Sequence, residues 1–299
     1  EKLGNKNTVS ISLVNIGSIY ERQGNIPLAL DYFHKALKIQ EETGDKSGTA
    51  NSLTNIAGIY DVQKNRKTAL EYYEKALKLK QEANNNLGIS VLLNNIAVIN
   101  REEGHYEKAI ELALQSLKIK EELKDKKGIA VVANNLGSTY YMLNDLSKAY
   151  EYFQIALKVN SEINFKEGIC LAYKNLGSYY LRIGNAAKGA EMGEKSLALA
   201  KEIAAPHLIK LSAHLLLTIY KGTNKPAKAF EMLELYVLMN DSVNNIENRK
   251  ASLKQQFQYE YEKKVVADSI KSVDEKKLTA IKISEQDAQI KQEKTQRIA

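Results

Sequence analysis

Five asparagines stand at a fixed spacing along the chain, and their amides are the residues best suited to binding chemistry. They follow one another at steps of 40 residues: Asn15, Asn55, Asn95, Asn135 and Asn175. A carboxamide offers both a hydrogen-bond donor and an acceptor, which the unpaired backbone of an extended segment requires. The spacing therefore favours a binding function. The alternative is structural, with each amide bonding within the fold and making it rigid.

Residue combinations that carry catalysis or hold a metal are missing from the sequence. The residues from Gly184 to Gly189 resemble a phosphate-binding loop, but Ala190 stands where that loop requires lysine. The single cysteine, Cys170, lies in an apolar stretch and is predicted to be a small buried residue. We therefore expect no enzyme activity, metal or cofactor in this segment. The four histidines lack metal-ligand spacing: His34, His105, His207 and His214.

Composition excludes several classes of protein. The net charge of +7 is spread along the chain rather than clustered, so a nucleic-acid partner is not expected. One cysteine cannot form an internal disulfide framework. The sequence has no run of about 18 apolar residues, the length that a membrane-spanning helix needs. It begins with Glu1 and shows no signal peptide, so we expect an excised or processed segment.

Three further residue types share the 40-residue period, which indicates an internal repeat. The tyrosines are Tyr20, Tyr60, Tyr140, Tyr180 and Tyr220. The alanines are Ala29, Ala69, Ala109, Ala149 and Ala229. The glycines, which we place at the end of a loop in each unit, are Gly48, Gly88, Gly128 and Gly168.

Each unit has the pattern of two helices joined by a tight turn. In the first unit, Leu13, Ile16, Gly17 and Tyr20 follow the i, i+3, i+4, i+7 spacing of one helix face. Pro27 suits the first turn of the second helix. The predicted helix pairs cover residues 10–45, 50–85, 90–125, 130–165, 170–205 and 208–240. Three asparagines are placed as N-caps of second helices: Asn25, Asn65 and Asn185.

These residues resemble the tetratricopeptide repeat. Its signature appears in the first unit as Leu13, Ile16-Gly17, Tyr20, Ala29, Phe33 and Ala36. The second unit repeats it as Leu53, Ile56-Ala57, Tyr60, Ala69, Tyr73 and Ala76. A unit of 40 residues exceeds the usual length of about 34. The chain therefore resembles the long-helix subgroup that includes kinesin light chain and several bacterial signalling proteins.

The resemblance implies an all-α, right-handed superhelical α-solenoid of six helix pairs followed by a long C-terminal helix. We divide residues 10–245 into repeats 10–49, 50–89, 90–129, 130–169, 170–209 and 210–245. Residues 1–9 align with the end of a preceding repeat. In the fifth repeat Gly189, Gly193 and Ser196 replace the usual alanine, aromatic residue and alanine, so either the next helix packs closely there or the array bends.

The resemblance also places the asparagines on the first helix of each pair, facing a concave groove that holds an extended peptide. Neighbouring positions would supply specificity. Lys38, Lys78, Lys118 and Lys158 are predicted to form a solvated convex face. The candidate ligand-binding residues are Asn15, Asn55, Asn94, Asn95, Arg101, Asn134, Asn135, Tyr141, Lys174, Asn175 and Arg182.

Residues 246–299 contain no glycine or proline and are rich in Lys, Glu and Gln, which favours one long helix. Its uneven apolar stripe predicts either a homodimeric coiled coil through residues 253–291 or a helix whose first turns pack on the last repeat. The stretches 251–264 and 291–297 resemble the segment that joins tetratricopeptide repeats to a membrane helix in bacterial signalling receptors.

We therefore interpret the chain as an interaction module that binds a protein or peptide, the sensor region of a larger signalling protein. The resemblance implies a histidine kinase, nucleotide cyclase or phosphatase as the output. The membrane would be reached only through sequence beyond Ala299. The resemblance suggests a periplasmic location, whereas the basic residues Lys291, Lys294 and Arg297 favour the cytoplasm. The alternative is a structural adaptor without a membrane link.

Overall fold

The computed structural model describes residues 2–241, and every regular element in that range is an α-helix. Consecutive helices form six pairs, each joined by a short turn, so the predicted all-α solenoid is confirmed. A twelfth helix, α12, is described over residues 226–241. The first eleven are α1 Lys2–Arg22, α2 Ile26–Thr43, α3 Lys46–Val62, α4 Arg66–Glu82, α5 Asn86–Glu102, α6 Tyr106–Glu122, α7 Lys126–Leu143, α8 Leu146–Glu162, α9 Lys166–Arg182, α10 Ala186–Glu202 and α11 Pro206–Gly222.

Side chains at the predicted N-caps start the second helices. Asn25, Asn65 and Asn185 each accept a hydrogen bond from the backbone N–H three residues later, which satisfies a donor that the helix leaves free. Pro27 lies in the first turn of α2, where its missing N–H removes no helical bond. These local signals were sufficient to locate the turn inside each pair.

The first helices begin earlier than predicted, at Lys46 in the second pair rather than at residue 50. The cause is a cap that the prediction missed, because Asp45 accepts a hydrogen bond from Gly48 N at 2.9 Å. The 40-residue glycines therefore lie in the first turn of a helix and not at the end of a loop. Helix α1 likewise starts at Lys2, so residues 2–9 belong to the first helix and do not form the separate end of a preceding repeat.

Within each pair, the two helices contact each other through small residues and, beside these, through aromatic residues. The periodic alanines Ala29, Ala69, Ala109 and Ala149 are fully buried, so the two helices approach closely at these points. Beside them, tyrosines from the two helices stack, with ring centroids 5.4 Å apart for Tyr20 and Tyr32. The same stacking joins Tyr60 with Tyr72 and Tyr140 with Tyr152.

Close packing explains the unusual fifth pair. A Cβ on Gly193 would stand 2.8 Å from Leu216 Cδ2, and one on Gly189 would stand 3.2 Å from Gly177 O. Gly177 and Gly189 therefore let the backbones of α9 and α10 approach closely, and Gly193 leaves room for Leu216 of α11. The close-packing interpretation is confirmed, because the bulk lost in α10 is replaced by leucines from α11.

No helix within residues 2–241 has the length and low charge needed to cross a bilayer. The predicted long helix over residues 246–299, with its coiled coil through residues 253–291, lies outside the described residues.

Candidate functional site

The first helices of the pairs line one side of the array. Direct contacts join α1 with α3, α5 with α7, α7 with α9, and α9 with α11. Among α1 to α11, the second helices of neighbouring pairs make no contact of comparable extent. Helices that touch lie on the inner side of a curved stack, so the first helices form its concave surface.

The asparagines predicted from the 40-residue spacing lie on this surface and are accessible. Asn55, Asn95, Asn135 and Asn175 are half-buried, and Asn15 at the N-terminal end is exposed. None is sealed between helices. Asn15 and Asn55 make no side-chain hydrogen bond to any other described residue, so their donors and acceptors are available to a ligand.

Two of these amides also connect neighbouring repeats. Asn135 Nδ2 donates to Asn94 Oδ1 at 3.0 Å, and Asn175 Nδ2 donates to Asn134 Oδ1 at 2.7 Å. The two asparagine rows are therefore linked crosswise from one first helix to the next. Each linking amide uses one of its two N–H groups, which leaves the other free to donate.

Tyr141 and Arg182 form a second cluster near the C-terminal ends of α7 and α9. The guanidinium carbon of Arg182 lies 4.6 Å from the centroid of the Tyr141 ring, and Arg182 Nη1 donates to Tyr141 O at 2.9 Å. Tyr141 Oη donates to Ser178 O at 3.3 Å. These contacts hold both side chains across the α7–α9 junction, which positions a planar cation at the groove edge.

Two cations of the predicted set are half-buried without a carboxylate partner. Burial lowers the pKa of Lys174, whose Nζ donates only to Asn175 Oδ1 at 3.3 Å. Burial likewise lowers the pKa of Arg101. Neither side chain forms an ion pair with another residue in the part of the chain that the structure describes. A desolvated cation without a counter-ion is a favourable place for a ligand carboxylate.

A cleft of about 320 Å³ opens between α5 and α7, with Asn94 and Asn95 in its wall. Its deepest charged group is Lys120, whose side chain is only 7% exposed and whose Nζ donates to Asp125 Oδ2 at 2.7 Å. This bond lowers the pKa of the Asp125 carboxyl. The cleft therefore places an amide pair beside a nearly buried ion pair.

Of the residues that line this cleft, sequence reasoning proposed only Asn94 and Asn95 and missed the others, among them Val91, Val131, Lys120 and Asp125. The 40-residue recurrence could have identified them, because Val91 and Val131 are one period apart, and so are Lys80 and Lys120. A different row of lysines was predicted to be solvated, and these residues are all exposed: Lys38, Lys78, Lys118 and Lys158. No group of acids, histidines or cysteines within residues 2–241 could hold a metal ion.

Solved structures with this architecture have little sequence in common with the chain. The apo form of RapI is 15% identical, with a TM-score of 0.68 over 80% of this chain and 85% of that one. A Rap protein complexed with competence and sporulation factor is 20% identical, with a TM-score of 0.61 over 80% and 75%. BtubC from P. vanneervenii is 17% identical, with a TM-score of 0.58 over 82% and 93%. At these identities the likeness establishes the fold alone.

Sequence comparison establishes the family. No curated protein sequence matches the chain. The tetratricopeptide repeat profile, in contrast, matches residues 8–82 and 88–162, which together make up half of the 299 residues. The chain therefore belongs to the tetratricopeptide repeat family.

Proposed function

We propose that this protein binds an extended segment of a peptide or protein partner in the concave groove of its first helices. The observation that carries the proposal is the line of accessible amides on α1, α3, α5, α7 and α9. An extended segment has unpaired backbone N–H and C=O groups at regular intervals. Carboxamides at regular intervals along the groove can pair with both kinds of group.

The comparison with Rap proteins supports the same function. One of them was solved in complex with competence and sporulation factor, so a solenoid of this shape accommodates a ligand. The groove residues of our chain are also polar but poorly paired, as Lys174 and Arg101 show. Unpaired polar groups on a rigid surface are typical of a binding site, because a partner can complete their hydrogen bonds.

The test uses peptides selected from a random library against the whole chain. The double variant Asn95→Ala with Asn135→Ala should weaken binding of a selected peptide by about 1–3 kcal/mol, at about 0.5–1.5 kcal/mol for each lost hydrogen bond. Circular dichroism should show unchanged helicity. Gln115→Ala removes an exposed amide from α6, away from the groove, and serves as the matched control. Peptides that bind both variants as tightly as the native chain would contradict the groove proposal.

A second candidate function is that of a structural adaptor whose asparagines only stabilise the stack. The crosswise bonds of Asn94 with Asn135 and of Asn134 with Asn175 favour it. In that case the double variant should have a lower melting temperature while its affinity for any partner stays the same. Measuring both quantities on one preparation separates the two functions.

We further propose that the module is the sensor region of a membrane-anchored bacterial signalling protein. The support is the resemblance of residues 251–264 and 291–297 to the segment before the membrane helix in such receptors. The coding sequence that follows Ala299 tests this directly. An apolar run of about 20 residues is expected there, and a polar continuation would favour the adaptor.

A further inference from the structure

An apolar row runs along the concave surface one helical turn before the asparagines. Its members occupy the same position of successive first helices, four residues before each asparagine position, so they share the groove-facing side. Val91, Val131 and Leu211 are 40%, 43% and 39% exposed, and Leu171 is half-buried. In α3 the position holds Asn51, which bonds to Lys80 Nζ. The continuous apolar row is Val91, Val131, Leu171 and Leu211.

Leu171 packs against the core, but core packing does not account for the exposure of Val91, Val131 and Leu211. A single exposed valine is ordinary on a protein surface, but a line of apolar side chains in a groove marks a contact surface. Val91 and Val131 open into the same cleft as Asn94 and Asn95. Apolar contacts and amides are therefore offered side by side to whatever enters the groove.

The distance between first helices limits the ligand that can use this row. Asn134 Oδ1 and Asn175 Nδ2 are 2.7 Å apart across α7 and α9, and helices in such contact have axes about 8–10 Å apart. A polyproline II chain rises about 3.1 Å per residue and has three residues per turn, so every third side chain lies on the same face, whereas side chains three residues apart on a β-strand point to opposite faces. Three residues of ligand therefore cover the step from one member of the row to the next. Two residues fall short of the step and four overshoot it.

Charge adds a second restriction at the α9 end. Lys174 lies three residues after Leu171 on the same helix face, half-buried and without a carboxylate partner among residues 2–241. Arg182 of the same helix adds a second positive charge, held by a carbonyl and a ring rather than by an acid. An acidic side chain of the ligand beside Leu171 would complement Lys174, because it supplies the counter-ion that the half-buried ammonium lacks. Arg182 lies about 12 Å further along the helix and would need a second acidic group.

We propose that the groove selects a segment in the polyproline II conformation with an apolar side chain at every third residue and an acidic side chain beside the apolar one that meets Leu171. This inference rests on the proposed groove function and specifies its ligand. The apolar side chains pack on Val91, Val131, Leu171 and Leu211, while the backbone pairs with the asparagine amides.

The probes are fluorescein-labelled synthetic peptides of about a dozen residues, the length that spans four first helices at three residues each. The first peptide has leucine at every third position. The second has the same composition with leucine at every second position. In each, one glutamate stands beside the second or the third leucine, which covers both chain directions. Anisotropy titration against the whole chain should show about tenfold tighter binding of the first peptide.

Variants of the chain test the row itself. Val131→Asp should weaken binding of the peptide with leucine at every third position by about tenfold or more. Val131→Thr, which keeps the side-chain shape, should weaken this binding less. Leu114→Asp is the matched control, because Leu114 is 38% exposed on α6, away from the groove. Lys174→Gln and a glutamate-to-glutamine peptide should each weaken binding, and together they should weaken it no further.

Each outcome has a distinct meaning. Equal binding of the two peptides, with Asn95→Ala and Asn135→Ala still weakening both, would overturn the spacing inference and leave the groove function standing. Binding of neither peptide, while a peptide selected from the random library binds and is weakened by Asn95→Ala with Asn135→Ala, would overturn the ligand proposed here and leave the groove function standing. Failure of the selected peptides as well would overturn both proposals. A dimer of the chain that Val131→Asp dissociates in sedimentation, without peptide binding, would assign the row to a second copy and overturn the ligand proposed here.

Discussion

Gly88 of α5 lies against the stem of Lys80 from α4, and a Cβ on Gly88 would stand 2.8 Å from Lys80 Cδ. The glycine leaves room for a buried lysine whose Nζ crosses to Asn51 Oδ1 at 2.7 Å. A buried polar side chain at the end of one helix thus requires a glycine eight residues later. Three other repeats show the same contact, which pairs Gly48 with Gln40, Gly128 with Lys120 and Gly168 with Asn160. In the sixth repeat the polar position holds Ala200, and the position eight residues later holds Leu208 instead of glycine.

Gly88→Ala should therefore destabilise the protein. Overpacking of a buried contact costs about 1–3 kcal/mol, which exceeds the gain of up to about 1 kcal/mol that alanine brings to a helix. Adding Lys80→Ala should relieve the contact, so the double variant is expected to be more stable than the sum of the single effects predicts. Chemical denaturation of the native chain, the two single variants and the double variant gives the coupling energy between Gly88 and Lys80.

The control for this cycle is Gly58→Ala in α3. A Cβ on Gly58 would meet only Tyr73 Oη, at 3.7 Å, which is an ordinary contact. This variant should be neutral or slightly more stable than the native chain, because alanine favours the helix. If Gly58→Ala and Gly88→Ala lowered the stability equally, the contact with Lys80 would not be the cause of the loss at Gly88.

The pair of Lys120 and Asp125 should make stability depend on pH in the acid range. Its hydrogen bond lowers the pKa of Asp125, so its contribution is complete above the usual aspartate range near pH 4 and is lost as pH falls through the lower folded value. Asp125→Asn should cost about 1–3 kcal/mol at neutral pH, because Lys120 keeps its charge at a nearly buried position.

Denaturation of Asp125→Asn across the acid range checks this expectation. The difference in the free energy of unfolding between the native chain and the variant should become smaller as the Asp125 carboxyl of the native chain is protonated. Glu162→Gln is the matched control, since Glu162 pairs with Lys126 in an exposed bridge that should contribute little. A difference that stays constant down to strong acid would contradict the assigned role of Asp125.

Tyr140→Ala should be among the most damaging single changes. Tyr140 is 6% exposed, stacks on Tyr152 at a centroid distance of 5.6 Å and has Lys148 Nζ 4.9 Å from its ring centroid. Loss of a large core side chain costs about 3–5 kcal/mol. Because each repeat is stabilised by its neighbours, the loss should weaken adjacent pairs as well.

Thermal unfolding measures the Tyr140 effect, at about 2–4 °C for each kcal/mol in a chain of this size. Tyr141→Ala offers a comparison at the adjacent position, where the ring is half-buried and its removal should cost less. Similar melting temperatures for the two variants would mean that Tyr140 does not belong to the core.

Cys170 should be unreactive in the folded protein. Its side chain is buried, burial raises the pKa of the thiol, and Sγ lies 3.2 Å from Ser196 O. Since the thiolate is the reactive form, alkylation should be slow until the α9–α11 region opens. Mass spectrometry after iodoacetamide treatment, with and without urea, reports this difference. Rapid labelling without urea would contradict the packing described for the fifth pair.

The side on which the asparagines lie was implied only by the resemblance to the tetratricopeptide repeat, whereas the sequence alone determined the helices and their pairing. These features depend on local rules, because the 3.6-residue period, the capping asparagines and the turn after Gln23 act within a few residues. The 40-residue recurrence of Tyr20 and Tyr60 then implied that each pair packs on the next. The starts of the first helices were wrong because the caps at Asp45 and Asn85 were overlooked.

Only the tertiary structure decided what the periodic residues touch. It assigned Gly88 to the stem of Lys80, joined Asn94 to Asn135, and left Lys174 without a counter-ion among the described residues. These relationships link side chains from 8 to 41 positions apart in the chain, and the helical period contains no information about them. They depend on how far one helix pair is rotated and shifted against the next, which is set by packing summed over many buried side chains.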